Sequence, residues 1–148
     1  MHAPSARTVV LPIGSDTDLP RVRQQVRQTA ADLGFGLVAQ TKLVTAASEL
    51  ARNTLVHGGG GHAEITPLDD EHARGLRLSF VDSGPGIRDL EAAMTDGYTT
   101  GGGLGLGLSG SKRLVREFVL DSRPGEGTTV TITDWVTTGP PARSTGAA

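Results

Sequence analysis

A glycine-rich stretch at residues 101–107 is the part of the sequence whose residue types most clearly predict chemistry. It reads Gly-Gly-Gly-Leu-Gly-Leu-Gly. Glycine lets a backbone approach a ligand closely, but ordering so many glycines costs conformational entropy. A glycine-rich loop that runs into a helix presents backbone N–H groups to phosphate. A flexible surface linker is the alternative interpretation, but linkers rarely contain leucines, and Leu104 and Leu106 alternate with the glycines. The stretch therefore predicts a nucleotide site.

Three common motifs of such loops do not fit here. The spacing of Gly105, Gly107 and Gly110 matches the dinucleotide fingerprint, but that fingerprint requires a preceding strand, and the residues before it do not predict one. A P-loop fails because Ser111 separates Gly110 from Lys112. A nucleophile elbow around Ser109 fails because Ser111 stands where the last glycine is needed.

A second candidate site lies on the most regular predicted helix, residues 39–57. Glu49 and Asn53 are four residues apart, so they lie one turn above the other at the edge of its apolar face. An exposed glutamate and asparagine would be the ordinary interpretation. Asparagine is a mediocre helix former, however, and its place at the border of an apolar face suggests a functional role.

The overall composition excludes several classes of function. The chain has 148 residues, which predicts one domain with a real core, and a net charge of −2 with no basic cluster to bind nucleic acid. It has no cysteine, which excludes thiol chemistry and thiolate metal sites. No apolar run predicts a membrane span or a signal peptide, so we expect a cytoplasmic protein that contacts no membrane.

The elements that must position these residues are, in chain order, a strand, two helices, two strands, a short helix, a further helix and a hairpin. A strand at 8–13 is predicted at a sheet edge because it contains Pro12. A helix capped by Ser15 or Asp16 follows, with Asp18 in its first turn, and ends at Gly34. Its apolar residues recur at 3–4 spacing and are Leu19, Val22, Val26, Ala30 and Leu33. After the helix at 39–57, the pattern predicts strands at 63–68 and 75–81, a short helix at 88–98, a helix at 108–117, and a hairpin of strands 118–122 and 128–133. We place the domain at residues 8–136, with an extension at 1–7 and a disordered tail at 137–148.

The glycines support a single site. Twelve of the 21 glycines fall in three loops, at 58–61, at 84 and 86, and from 101 to 110. Such clustering favours one site built from three pieces that are distant along the chain.

Four segments resemble the motifs of the gyrase, Hsp90, histidine-kinase and MutL (GHKL) ATPases. Residues 49–53, Glu-Leu-Ala-Arg-Asn, resemble their N box, and residues 82–86, Asp-Ser-Gly-Pro-Gly, resemble their first glycine box. Residues 101–107 are similar to the second glycine box, and residues 127–129, Gly-Thr-Thr, to the closing motif. Within the superfamily, residues 48–53 and 96–105 look most like the serine/threonine kinases of bacterial sigma-factor regulation, the stressosome-type switch kinases of the anti-sigma regulatory factor family.

The resemblance implies a fold and a set of roles. The fold would be α/β, a Bergerat-type two-layer sandwich whose mixed, mostly antiparallel sheet carries helices on one face. Glu49 would be the general base, Asn53 would ligate Mg²⁺, and Asp82 would accept a hydrogen bond from the adenine amino group of ATP, assisted by Thr128 through water. The backbone at Gly84 and Gly86 would pass the adenine. The remaining nucleotide contacts would come from Thr99, Thr100, Gly101, Gly102, Gly103, Leu104, Gly105 and Gly107.

The implied activity is that of an ATP-dependent protein serine/threonine kinase. Its substrate would be a STAS-domain antagonist of an anti-sigma factor in a partner-switching stress response. Two alternatives stay open: an anti-sigma factor that sequesters a sigma factor, and a nucleotide-dependent binding module that activates a partner phosphatase of the PP2C type. An intact Glu49 counts against the binding module, because a protein that only binds needs no base. The glycine tract at 58–61 is longer than the resemblance predicts.

Overall fold

The structure, a computed structural model, describes residues 7–69, 72–86 and 107–137. In chain order the described elements are β1 (Val9–Ile13), α1 (Asp18–Leu33), α2 (Leu37–Val56), β2 (Gly61–Asp69), β3 (Arg74–Asp82), α3 (Gly107–Arg113), β4 (Glu117–Arg123) and β5 (Gly127–Trp135). The predicted helix at 88–98 lies outside the described residues, as do residues 1–6 of the predicted extension at 1–7 and residues 138–148 of the predicted tail at 137–148. The domain boundaries stay predictions.

The five strands form one sheet in the order β1-β2-β3-β5-β4, and all four pairings are antiparallel. The predicted α/β class and mostly antiparallel sheet are therefore confirmed. β1 lies at an edge, as Pro12 predicted, because an edge strand can lose one backbone donor without breaking the ladder. Of the described helices, none is long and apolar enough to cross a membrane.

One face of the sheet is covered by the helices, and the core lies between the two layers. Alternate residues of β3, namely Leu76, Leu78 and Phe80, are buried, as strand geometry requires for a sheet with one covered face. On the other face Val10 and Val119 are exposed. The two-layer arrangement with helices on one face thus agrees with the prediction.

Helix α1 follows its apolar periodicity closely. Its buried residues are the five predicted from 3–4 spacing, which are Leu19, Val22, Val26, Ala30 and Leu33. Gly34 ends the helix with a φ of 98°, in the left-handed conformation that glycine adopts without a steric penalty.

The start of α1 differs from the prediction. Neither Ser15 nor Asp16 is the N-cap, which is Thr17, and Thr17 makes no capping hydrogen bond from its side chain. Instead Asp18 Oδ2 accepts hydrogen bonds from the N–H groups of Gly14 and Ser15, at 2.8 and 3.1 Å. The carboxylate that the sequence placed in the first turn therefore orders the loop that enters the helix.

Helix α3 is shorter than predicted. It ends at Arg113, whereas the apolar pattern extended it to Glu117. Leu114 and Val115 continue the apolar pattern, and they pack against the core. Glu117, however, is the first residue of β4 and pairs with Thr133. Strand pairing therefore ends the helical segment.

Candidate functional site

The described candidate residues converge at one end of the sheet. Asp82 is the last residue of β3, Thr128 is the second residue of β5, and the two are opposite each other in the pairing of these strands. Asp82 also pairs with Gly61 at the start of β2. Because Phe80 and Val130, two positions away on each strand, are buried in the core, Asp82 and Thr128 point to the helix-covered face.

The carboxylate of Asp82 is fixed by a local turn. Its Oδ1 accepts a hydrogen bond of 2.9 Å from the N–H of Gly84. Its other oxygen, Oδ2, has no hydrogen-bond partner among the residues that the structure describes, so it remains an available acceptor. A fixed carboxylate oxygen of this kind suits a neutral amino donor, since the bond is charge-assisted.

Two hydroxyl groups lie next to Asp82 on the same face. Ser122 pairs with Thr128 across β4 and β5, and their Oγ and Oγ1 atoms are 2.8 Å apart. Ser122 Oγ also donates a hydrogen bond of 3.2 Å to the carbonyl oxygen of Gly127. Ser122 therefore restricts the orientation of Thr128, and the sequence patterns did not identify it. Ser122 stands opposite the Gly-Thr motif in the final hairpin, on the side of β4 that faces the core. That position is the sequence signal that could have identified it.

The turn after Asp82 explains why glycine stands at residue 86. Gly86 has a φ of 78°, and a Cβ there would collide with the carbonyl oxygen of Arg123 at the end of β4. In addition, Gly125 N–H donates a hydrogen bond of 2.6 Å to the carbonyl oxygen of Pro85. The first glycine box is thus held against the turn between β4 and β5.

Helix α2 supplies the other two polar candidates. Glu49 is only 7% exposed, and the sequence interpretation, which placed it at the border of the apolar face, underestimated its burial. Asn53 is half-buried one turn further along the helix. Neither side chain forms a hydrogen bond or ion pair with any residue in the described part of the chain.

Helix α2 and strand β3 meet through the loop that follows the helix. The N–H groups of His57 and Gly58 both donate to the carbonyl oxygen of Asn53, at 2.9 and 3.2 Å. Gly58 in turn lies against the side chain of Asp82. The end of the helix that carries Asn53 is thereby joined to the end of the strand that carries Asp82.

Several predicted contacts involve residues that the structure does not describe. Thr99, Thr100, Gly101, Gly102, Gly103, Leu104 and Gly105 belong to the segment that the structure does not describe. Gly107 is described, and it is the first residue of α3. The predicted succession of a glycine run and a helix is therefore seen only at its helical end.

A cavity of about 580 Å³ lies elsewhere, at the opposite end of α2. Its lining includes Leu37, Leu114 and Trp135, and it contains none of the predicted site residues. We therefore do not assign the nucleotide site to it.

Comparison with known proteins agrees with these motifs. The family model described as "Histidine kinase-, DNA gyrase B-, and HSP90-like ATPase" matches residues 38–136. The serine/threonine-protein kinase RsbT of Bacillus subtilis (strain 168) is 44% identical over 124 residues, which are 84% of this chain and 93% of that protein. The anti-sigma F factor of Bacillus licheniformis is 32% identical over 100 residues, or 63% of this chain and 67% of that protein.

A solved structure shares the fold. The structure of the RsbU and RsbW domains of Rv1364c from Mycobacterium tuberculosis superposes with a TM-score of 0.59 at 22% identity. The match covers 86% of this chain but only 32% of that one, so this chain spans about a third of the solved protein. At this level of identity the likeness concerns the fold.

Proposed function

This chain belongs to the histidine kinase-, DNA gyrase B- and HSP90-like ATPases, and from that premise we propose that it is an RsbT-like protein serine/threonine kinase. It uses ATP with Mg²⁺ and acts in the cytoplasm. Its substrate is a STAS-domain protein that antagonises an anti-sigma factor, and a PP2C-type phosphatase is a further partner of the same switch.

The observation that carries this proposal is the environment of Glu49. A buried carboxylate that lacks a hydrogen-bond partner costs free energy, so such groups are rare unless they have a role. Glu49 is 7% exposed, has no partner among the described residues, and lies one helical turn before Asn53. A buried carboxylate one turn from a candidate Mg²⁺ ligand suits the role of a general base.

The donor set at Asn53 fits Mg²⁺ in the presence of nucleotide. The described residues include no cluster of three or more His, Asp or Glu side chains that could hold a metal by themselves. Mg²⁺ needs few protein ligands, because it keeps several waters and binds the phosphates of its nucleotide. Asn53 therefore supplies one amide oxygen, and the ion, when bound, neutralises charge on the phosphates.

Asp82 and Thr128 recognise the base. Oδ2 of Asp82, which has no partner among the described residues, accepts a hydrogen bond from the amino group of adenine, and the hydroxyl of Thr128 holds a water molecule beside it. Gly84 and Gly86 let the backbone pass close to the ring. The further nucleotide contacts that we propose are Thr99, Thr100 and the glycine run from Gly101 to Gly107, of which the structure describes Gly107.

The reaction transfers the γ-phosphoryl group of ATP to a serine or threonine hydroxyl. The hydroxyl oxygen forms a bond to the γ-phosphorus, the bond from that phosphorus to the β–γ bridging oxygen breaks, and ADP leaves with the electron pair. The carboxylate of Glu49 takes the proton of the hydroxyl. A positioned general base contributes roughly 10²–10⁴-fold to such a rate.

The test is a transfer assay with purified proteins. The chain is incubated with Mg²⁺ and ATP labelled on its γ-phosphate, together with STAS-domain proteins encoded near its gene. We expect the label on a serine or threonine of one of them, and labelling that is slower by roughly 10²-fold or more with the Glu49→Gln variant. Absence of transfer to every candidate, in a protein shown to bind ATP, would contradict the kinase proposal and favour a binding module.

The similarity to anti-sigma F factors favours a second candidate function. In that case the chain binds a sigma factor directly, and phosphorylation of its antagonist controls release. Co-purification with candidate sigma factors in the presence of ATP separates the two functions, because only the second requires a stable complex.

A further inference from the structure

The glycine at the end of α2 is in direct contact with the carboxylate proposed to read the base. A Cβ built on Gly58 would lie 2.5 Å from both Cβ and Oδ2 of Asp82, and closer still to its Cγ. Real Cβ atoms do not approach other heavy atoms so closely, so a larger residue at position 58 forces a change in the placement of Asp82 relative to the loop of Gly58.

Gly84 completes the contact from the other side. Its N–H holds Asp82 Oδ1, while a Cβ on Gly84 would lie 2.6 Å from the carbonyl oxygen of Gly58. The carboxylate of Asp82 is therefore enclosed by two glycines that also contact each other. One of them lies in the loop just after the helix that carries Asn53, and the other is the first glycine of the first glycine box.

The need for glycine at position 58 is a matter of space. Gly59 and Gly60 have φ values of 76° and 106°, a conformation that other residues rarely adopt. Gly58 has no positive φ, so alanine is compatible with its backbone. The three atoms nearest to an added Cβ all belong to the side chain of Asp82.

We propose that Gly58 is a positioning residue that determines base specificity by holding the Asp82 carboxylate in place. This inference rests on the proposed role of Asp82 in reading adenine. The glycine tract at 58–61 then has a function, because it lets the end of the helix come close enough to support the carboxylate. A side chain at position 58 would shift Asp82 relative to Gly84, and rotation of the carboxylate alone would not relieve the contact, because Asp82 Cβ is one of the three closest atoms.

Two nucleotides that differ at one position of the base can test this role. ATP carries an amino donor at the 6-position, whereas inosine triphosphate (ITP) carries an oxygen acceptor there. A correctly placed carboxylate attracts the amino group and repels the oxygen. Displacement of Asp82 should therefore weaken the binding of ATP without weakening the binding of ITP.

The experiment measures ATP and ITP affinity with Mg²⁺ for the parent chain and for Gly58→Ala. The matched control is Gly36→Ala at the start of α2, where an added Cβ would meet no atom within 4 Å and the φ is −69°. We expect ATP affinity to fall at least fivefold in Gly58→Ala, ITP affinity to stay within twofold, and the control to match the parent. Unchanged ATP affinity, or equal losses for both nucleotides, would overturn the proposal.

A double variant tests the contact even if Gly58→Ala is poorly stable. In Gly58→Ala/Asp82→Gly the three closest contacts are absent, so the melting temperature should exceed the additive expectation and ATP affinity should equal that of Asp82→Gly alone. Additive losses would overturn the role of Gly58. A parent chain that binds ATP and ITP equally would instead overturn the proposed role of Asp82 as base reader, and this inference with it.

Discussion

Thr128 lies directly opposite Asp82 where β5 pairs with β3, so two residues 46 positions apart in the sequence occupy one row of the sheet. Ser122 extends that row on β4, with its hydroxyl 2.8 Å from that of Thr128. A carboxylate and two hydroxyl groups are therefore held by backbone pairing rather than by flexible loops, which favours a preorganised binding surface.

Replacing Asp82 with asparagine should weaken ATP binding at least tenfold. The amide can present a donor to the adenine donor, and the charge is lost; a hydrogen bond to a charged group contributes about 1.5–3 kcal/mol. Titration calorimetry of ATP measures the effect. Asp121→Asn on β4 is the matched control, because Asp121 is exposed and pairs with Thr129 on the opposite face. An affinity within twofold of the parent would contradict the assignment.

Removing the hydroxyl of Thr128 or of Ser122 should weaken ATP binding less than the replacement of Asp82 does. Thr128→Val removes the hydroxyl proposed to hold the water beside the base, and Ser122→Ala removes only the group that orients it. A neutral hydrogen bond contributes about 0.5–1.5 kcal/mol, so ATP affinity should fall by roughly 2–10-fold in Thr128→Val. The loss in Ser122→Ala should be smaller. A larger loss at Ser122 than at Thr128 would contradict this order.

Two glycines of the final hairpin should differ in their tolerance of alanine. Gly125 and Gly127 have φ values of 80° and 91°, so alanine at either position should cost about 1–2 kcal/mol of stability. At Gly127 the added Cβ would also collide with the carbonyl oxygen of Asp82, whereas at Gly125 it would meet no atom within 4 Å. Gly127→Ala should therefore have the lower melting temperature, measured by circular dichroism. Equal melting temperatures would show that the protein accommodates the contact between the added Cβ and β3 without a loss of stability.

Local patterns predicted the elements well where one physical effect dominated. The buried residues of α1 followed from helical spacing, and Gly34 ended that helix as predicted, because both signals depend on neighbours within one or two turns. The cap of α1 was predicted wrongly, because the N-cap is Thr17 and not Ser15 or Asp16. The carboxylate of Asp18 accepts hydrogen bonds from the loop before the helix. The N–H groups of Asp18 and Leu19 donate to the carbonyl oxygens of Ser15 and Asp16 instead of to a capping side chain, and residue types alone do not determine such a turn.

Contacts between distant segments were predicted only in outline. The clustering of glycines indicated a shared site, but the sequence did not show that Gly58 touches Asp82, because that contact depends on how α2 packs against the sheet. The burial of Glu49 was underestimated for the same reason: helical spacing places a residue on a face, while the neighbouring elements decide how much of that face is covered. The limit of α3 depended on pairing between β4 and β5, which is also a distant interaction.

Asn53 should couple nucleotide affinity to the metal. Asn53→Ala removes the proposed amide ligand, so ATP affinity in Mg²⁺ should fall several-fold, while affinity in the presence of a chelator should stay close to that of the parent. Thr54→Ser, on the next residue of α2, is a control for changes in the helix, because its hydroxyl can keep the bond of 3.0 Å to the carbonyl oxygen of Leu50. Equal losses with and without Mg²⁺ would indicate a structural role.

The variant Glu49→Gln separates an enzyme from a binding module. Glutamine keeps the shape of the buried side chain but cannot take a proton, so ATP and acceptor affinities should stay near those of the parent. The rate of single-turnover transfer should fall by roughly 10²-fold or more, because a general base acts only as the transition state forms. Glu64→Gln on β2 is the control, since Glu64 is about 42% exposed and is paired with His62.

A structural glutamate would give another pattern of results. The melting temperature would then change, and binding and transfer would decline together, because both would depend on the same folded fraction. Since Glu49 has no partner among the described residues, its neutral replacement should leave the melting temperature unchanged or raise it. Unimpaired transfer by Glu49→Gln would exclude it as the base, and a lowered melting temperature with parallel losses would reassign it to the core of α2.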